Sequence, residues 1–141
     1  MTLVDVGLWL AAVYGRHVHH GAAVKWFEGQ SGGLVLCRMT QTGLLRLLSN
    51  PAVMDTEVLS RSEAWRVLDQ LAADERVQWA DEPAALEPVF RALSARNDHS
   101  HKLWTDDYLA AFAQASNASV ATLDRKFAAR YPSVDVVTVF A

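Results

Sequence analysis

Short, mostly apolar runs alternate with longer amphipathic stretches along this chain. The runs Leu3–Val6, Leu34–Cys37, Val77–Ala80, Ser119–Leu123 and Val134–Phe140 have the length and apolar character of buried strands. Leu8 to Tyr14 is apolar throughout and predicts a helix that Gly15 stops. Val18 to Gln30 carries Ala22, Ala23, Trp26 and Phe27 on one helical face, and Ser31-Gly32-Gly33 turns the chain. Thr40 reads as an N-cap before a helix with Leu44, Leu45, Leu47 and Leu48, which Asn50-Pro51 closes. Ser60 with Glu63 matches a capping box and opens a helix with Trp65, Leu68, Leu71 and Ala72 on one face. Leu86, Phe90 and Leu93 follow Pro83 at helical spacing. Arg96 to Lys102 is a polar loop, and Thr105 then reads as the cap of a helix with Tyr108, Leu109, Phe112 and Ala115 inward. Leu123 to Phe127 turns into a short helix.

Strands that alternate with helices predict an α/β fold, a central parallel sheet with helices on both faces. Ligands of such sheets bind beyond the carboxyl ends of the strands, near the switch in strand order. Asp5, Gln41 and Asp124 follow the first, second and fourth predicted strands, so the alternation brings them towards one place. There is no internal repeat and no low-complexity tract.

The 141 residues, 51% of them apolar, suit a single domain over 1–141 with a core that needs no staples. No apolar run approaches the roughly 20 residues that span a bilayer. The chain begins Met-Thr-Leu-Val-Asp without a basic leader, and Cys37 is its one cysteine; both features lead us to expect a cytoplasmic protein. A formal net charge of −3 gives no global attraction for nucleic acid, so RNA or DNA would need a local basic patch or a metal.

The candidate chemistry lies in acids set at strand ends and helix starts. An ionised carboxylate beside an apolar run is costly unless it is paired. Asp5, Asp106 and Asp124 therefore suggest one shared partner, for which a hard divalent cation such as Mg²⁺ or Mn²⁺ is the simplest candidate. Such an ion polarises a phosphate oxygen and acidifies a bound water, which is the chemistry of a nuclease. Thr40, Thr105 and Thr122 lie next to, or two residues before, Gln41, Asp106 and Asp124, where a hydroxyl can orient a carboxylate or a water. Taken singly, each acid has an ordinary explanation: Asp5 as a strand-end acid, Asp106 as a first-turn charge and Asp124 as a helix cap. Their joint placement is what points to a site.

These residues resemble a known family, the VapC-type PIN-domain toxins of bacterial toxin–antitoxin pairs. The matching stretches are Leu3-Val4-Asp5-Val6, His17 to Ala23 with Trp26-Phe27, Thr40-Gln41-Thr42-Gly43-Leu44-Leu45-Arg46 running on to Pro51, Thr105 to Ala111, and Thr122 to Phe127. They occur in family order over nearly the whole chain. The resemblance implies a PIN-like fold, a homodimer, a Mg²⁺- or Mn²⁺-dependent endoribonuclease acting on structured RNA such as transfer or ribosomal RNA, and a VapB-like antitoxin partner. It assigns Asp5, Asp106 and Asp124 as metal-binding acids, with Gln41 as the fourth catalytic position. Gln41 stands where many relatives carry Glu, and Gly7 where relatives often have Asn. The amide removes one negative charge, so a catalytically weakened or inactive RNA- or partner-binding protein of the same fold is the alternative. A DNA nuclease is a third possibility.

Other features fill in around this site. Arg46, and the basic loop with Arg96, His99, His101 and Lys102, are candidates for the RNA backbone, as is the group Arg125, Lys126 and Arg130. Asp107 lies about 100° round the helix from Asp106 and reads as a helix-start charge. The cluster His17, His19 and His20 lacks the supporting spacing of a zinc site. The five tryptophans read mainly as core, with Trp104 placed to stack on a base and Trp65 to line a partner groove.

Overall fold

A computed structural model describes residues 1–140. The elements run β1 (Thr2–Val4), α1 (Val6–Val13), α2 (His20–Glu28), β2 (Leu34–Leu36), α3 (Arg38–Leu48), α4 (Pro51–Met54), α5 (Arg61–Ala72), β3 (Val77–Trp79), α6 (Leu86–Ser94), α7 (Trp104–Ser116), β4 (Ser119–Thr122), α8 (Phe127–Arg130) and β5 (Val136–Thr138), with a 3₁₀ turn at Asp55–Glu57. All five strands are parallel, in the order β3-β2-β1-β4-β5. The expected α/β architecture is therefore present; the first four strands are one residue shorter than their apolar runs, and the last run, Val134–Phe140, is a strand only over Val136–Thr138.

Both faces of the sheet are covered, which is why its strands read as unbroken apolar runs. Side chains alternate across a strand, so neighbours enter different cores. Val4, Leu34, Leu36 and Ala121 pack with Leu8, Leu44, Leu48 and Leu68 from α1, α3 and α5. Leu3, Val35 and Val120 pack on the other face with Leu109, Phe112, Phe127 and Tyr131. Burying each leucine contributes about 1.5–3 kcal/mol.

Local signals account for several boundaries. Ser60 and Glu63 exchange the two hydrogen bonds of the expected capping box, at 3.1 and 2.9 Å. Asn50 caps α4, whose first residue is Pro51. Two helix starts differ from expectation. α3 begins at Arg38, and Thr40 is its third residue; fully buried, its hydroxyl accepts from the Cys37 N–H and donates to the Cys37 carbonyl, both at 3.0 Å. Likewise α7 begins at Trp104, so Thr105 is an exposed second residue and caps nothing. In α3 the Thr still serves the cap, as the N3 partner of a capping box with Cys37, so the helix starts two residues before it.

The tryptophans also depart from the expected core role. Trp9 is wholly buried, whereas Trp65, Trp79 and Trp104 are largely exposed. On α5 the inward face is Ala64, Leu68 and Leu71, which turns Trp65 outward. No helix among the described residues is long and apolar enough to cross a membrane.

Candidate functional site

The strand order reverses at β1. The chain builds β2 and β3 on one side of it, then returns to place β4 on the other. Val4 pairs with Ala121 there, so the residues after β1 and β4 leave the sheet side by side. This crevice at the carboxyl ends is where open α/β sheets bind ligands.

Asp5 opens the site. Its N–H continues the sheet to the Ala121 carbonyl at 2.9 Å. Its Oδ1 accepts from the Val6 N–H at 2.8 Å, which caps α1, and its Oδ2 accepts from the Thr122 hydroxyl at 2.8 Å. The same hydroxyl accepts from the Asp124 N–H at 3.0 Å. Thr122, itself fully buried, therefore locks two of the acids in register. Gly43 brings α3 against this corner, since a Cβ there would lie 2.8 Å from Val6 Cγ2.

Asp106 enters from the first turn of α7 and joins Asp124 through one guanidinium. Arg130 Nη2 donates to Asp106 Oδ2 at 2.9 Å and to Asp124 Oδ2 at 2.5 Å. Asp124 Oδ1 also accepts from the Lys126 N–H at 2.9 Å. Of the three residues that the alternation of elements led us to expect together, Asp5 and Asp124 meet through Thr122, whereas Gln41 bonds Arg38 instead; Asp106 joins Asp124 through Arg130.

The electrostatics record an excess of negative charge. Burial pushes the Asp5 carboxyl up, against the Thr122 and Val6 hydrogen bonds, and the charge of Asp124 adds to the rise. Burial and then the charge of Asp5 push Asp106 up to about 6, and Arg130 only partly offsets them. For Asp124 burial also pushes upward, but the Lys126 N–H and the bond and charge of Arg130 outweigh it and hold the carboxyl below its ordinary value.

The donor set fits a hard divalent cation: three carboxylates and a hydroxyl, all oxygen, with more negative charge than one guanidinium neutralises. A cation already stands between two of the acids in the form of Arg130. Among the described residues no three His, Cys, Asp or Glu side chains close round a point as a finished ligand set. The carboxylates are spread about the guanidinium instead.

The remaining sequence candidates are placed as follows. Gln41 makes no hydrogen bond to the acids; its Oε1 accepts from Arg38 Nη1 at 2.5 Å, and Arg38 lies 4.8 Å over the Trp79 ring. Thr40 is turned inward to its helix start, which removes it from the site surface. Thr105, Arg46 and Arg38 line a shallow hollow with Val6, Met39 and Tyr108, next to Asp5 and Asp106. Lys102 is exposed on the polar loop. Arg96, Asp98 and Ser100 of that loop face Asp107, Arg130 and Tyr131 across a cleft of about 130 Å³.

Two residues have roles that the sequence did not assign. Asp107 is not a solvated helix-start charge: it is buried and accepts a short hydrogen bond from the Tyr131 hydroxyl, tying α7 to the end of α8. Arg130 was indistinguishable in sequence from Arg125 and Lys126. Only Arg130 turns inward, while Arg125 lies over the Phe140 ring at 4.9 Å. No local signal in the sequence separates it from them; the helical turn Phe127–Arg130 seen in the structure returns Arg130 towards the strand end. His17 and His19 have rings 5.8 Å apart, and His20 bonds the Ala11 carbonyl at 2.7 Å, so these side chains serve the α1–α2 corner.

The sequence matches the PIN domain family over residues 2–131. The chain belongs to the PIN domain family. Within it the chain is similar to Ribonuclease VapC41 of Mycobacterium tuberculosis, at 38% identity over 133 residues, which cover 90% of this chain and 91% of that protein. Ribonuclease VapC29 of the same organism is 29% identical over 144 residues, or 96% and 94% of the two chains. Solved PIN-fold structures agree in architecture at low identity. VapBC2 from Rickettsia felis, bound to a DNA fragment from its promoter, matches with a TM-score of 0.70 at 12% identity, covering 99% of this chain and 98% of that one. VapC20 of M. tuberculosis, a sarcin–ricin loop cleaving toxin, matches with a TM-score of 0.69 at 15% identity, covering 92% and 94%.

Proposed function

We propose that this PIN-domain protein, a single domain over 1–141, is a VapC-type endoribonuclease toxin that uses Mg²⁺ or Mn²⁺ held by Asp5, Asp106 and Asp124. The observation that carries the reading is the meeting of these three acids at the reversal in strand order, with Asp106 pushed up to about 6 by burial and by Asp5. The ribonuclease relative at 38% identity supports RNA as the substrate. The sarcin–ricin loop toxin of the same fold supports a structured RNA such as ribosomal or transfer RNA. The VapBC2 assembly supports a VapB-like antitoxin as the partner, and a homodimer in the cytoplasm completes the proposal.

When bound, a divalent ion supplies charge neutralisation at the phosphate and acidifies a water. The chain's own residues do the positioning. Val6 N–H and Thr122 fix both oxygens of Asp5, and Thr122 sets Asp124 beside it. Arg46, Thr105 and Lys102, together with Arg38, form the rim that would meet the RNA backbone. Gln41, the fourth proposed catalytic position, accepts a hydrogen bond from Arg38 beside this rim.

The test is incubation of the purified chain, freed of any partner, with total bacterial RNA and Mg²⁺, Mn²⁺ or EDTA. Discrete fragments that need metal, and that Asp5→Asn and Asp106→Asn no longer produce while keeping their fold, are expected. Cleavage that survives both substitutions would sink the reading. Folded protein that binds RNA without cutting it would favour the non-catalytic alternative, and Gln41→Glu would then be the substitution to restore activity.

A further inference from the structure

The proposed metal role of the acids leaves the inward-turned Arg130 to be explained. One Nη2 bonds both Asp106 Oδ2 and Asp124 Oδ2, the oxygens that face each other across the site. A divalent ion held by these carboxylates would compete with the guanidinium for their charge, and its own charge would repel the guanidinium. The guanidinium also lies 6.0 Å from the Phe127 ring and 5.9 Å from the Tyr131 ring. The Arg130 Nε is buried and has no hydrogen-bond partner. Next to it lies the cleft of about 130 Å³ walled by Asp98, Asp107 and Tyr131, with Arg130 forming part of the wall. Arg96 also lines this cleft, so its two carboxylates, Asp98 and Asp107, face two guanidinium groups, and an arginine with a vacant donor has somewhere to go.

We infer that Arg130 is an internal counter-cation that holds the acid site in the metal-free protein and competes with the divalent ion for Asp106 and Asp124. The inference rests on the metal reading of the site. Arg130 thereby sets how much free metal the protein needs. Without metal it keeps Asp106 and Asp124 from driving the corner apart. On metal binding it gives up these two oxygens and turns towards the Asp98 side of the cleft. Arg130 is a positioning residue in this scheme, acting through the acids rather than on substrate.

Calorimetric titration of EDTA-stripped protein with Mn²⁺ tests this directly. Arg130→Gln should bind Mn²⁺ roughly tenfold more tightly than the unmodified chain, because mutually exclusive occupants are reciprocally coupled. In EDTA the same variant should melt at a lower temperature, and added Mn²⁺ should raise its Tm by more than that of the unmodified chain. Arg130→Lys keeps a cation and should bind Mn²⁺ with nearly unmodified affinity. Should Arg130→Gln fail to fold, the Arg130 Nε–H resonance of the ¹⁵N-labelled native chain decides: Mg²⁺ should shift it, and an unmoved resonance at metal saturation overturns the inference. Equal or weaker Mn²⁺ binding by Arg130→Gln, with the native chain binding normally, overturns the counter-cation role alone. Absence of Mn²⁺ binding in both proteins overturns the metal reading as well.

Discussion

Asp107 and Tyr131 illustrate how one residue's surroundings decide its role. Asp107 is adjacent in sequence to a candidate metal ligand, yet it is buried and bonded to the Tyr131 hydroxyl. Burial and this hydrogen bond also push the Tyr131 hydroxyl pKa well up, so the phenol stays a donor. Tyr131→Phe removes that donor and leaves the carboxylate buried without it. The expected cost is about 1–3 kcal/mol, read as a lower urea midpoint with an unchanged slope. A midpoint within error of the native one would mean that the cleft solvates Asp107. Asp5, Thr122 and Asp124 show the opposite case: their types and spacing were legible as a site, because a strand-end acid has few other partners. Arg130 was not, since nothing local distinguishes it from Arg125 and Lys126.

At the scale of elements, the junction of α1 and α3 fixes where Asp5 points. Gly43 lets α3 lie against Val6, and a Cβ at that position would come within 2.8 Å of Val6 Cγ2. Gly43→Ala therefore forces the two helices apart or twists the start of α1. We expect a loss of about 1–3 kcal/mol in denaturant unfolding, as for other overpacked contacts. RNA cleavage should fall by more than stability alone explains, because Val6 N–H holds Asp5 Oδ1. Adding Val6→Ala should recover much of both losses. Full activity in Gly43→Ala would show that Asp5 tolerates movement of its helix. The alternation of apolar runs with helical faces made most elements readable, the capping box at Ser60 included. The starts of α3 and α7 lie before Thr40 and Thr105: Thr40 acts from the third helical position in a capping box with Cys37, a role that its residue type shares with an N-cap.

For the whole molecule, the decisive property is the distribution of charge and not its sum. The net charge is −3, which opposes RNA at long range. Yet Arg38, Arg46, Arg96, Lys102, Arg125 and Lys126 are all exposed, on segments that lead from or border the acid site. RNA affinity should therefore depend on local phosphate contacts. With the Asp5→Asn protein in EDTA, log K for a short single-stranded RNA should fall with log salt, with a slope of about −2 for three neutralised phosphates. Arg46→Glu should make that slope shallower by roughly one phosphate contact. A slope near zero would show that the basic rim does not carry binding. Anisotropy of labelled RNA across a salt series is the measurement.

What the sequence determined by itself was the class of fold, most of its elements and the three acids, because periodicity and residue chemistry are local properties. Strands buried on both faces must be apolar, and helices covering them must be amphipathic, so the order of elements is written directly in the chain. The tertiary structure alone decided which groups meet. The placement of β4 beside β1 joined Asp5 to Thr122 and Asp124 across 117 and 119 positions of sequence. It also turned Arg130 into the acids and Asp107 into the core. A side chain's partners at this range depend on strand order and helix packing, which no local pattern encodes.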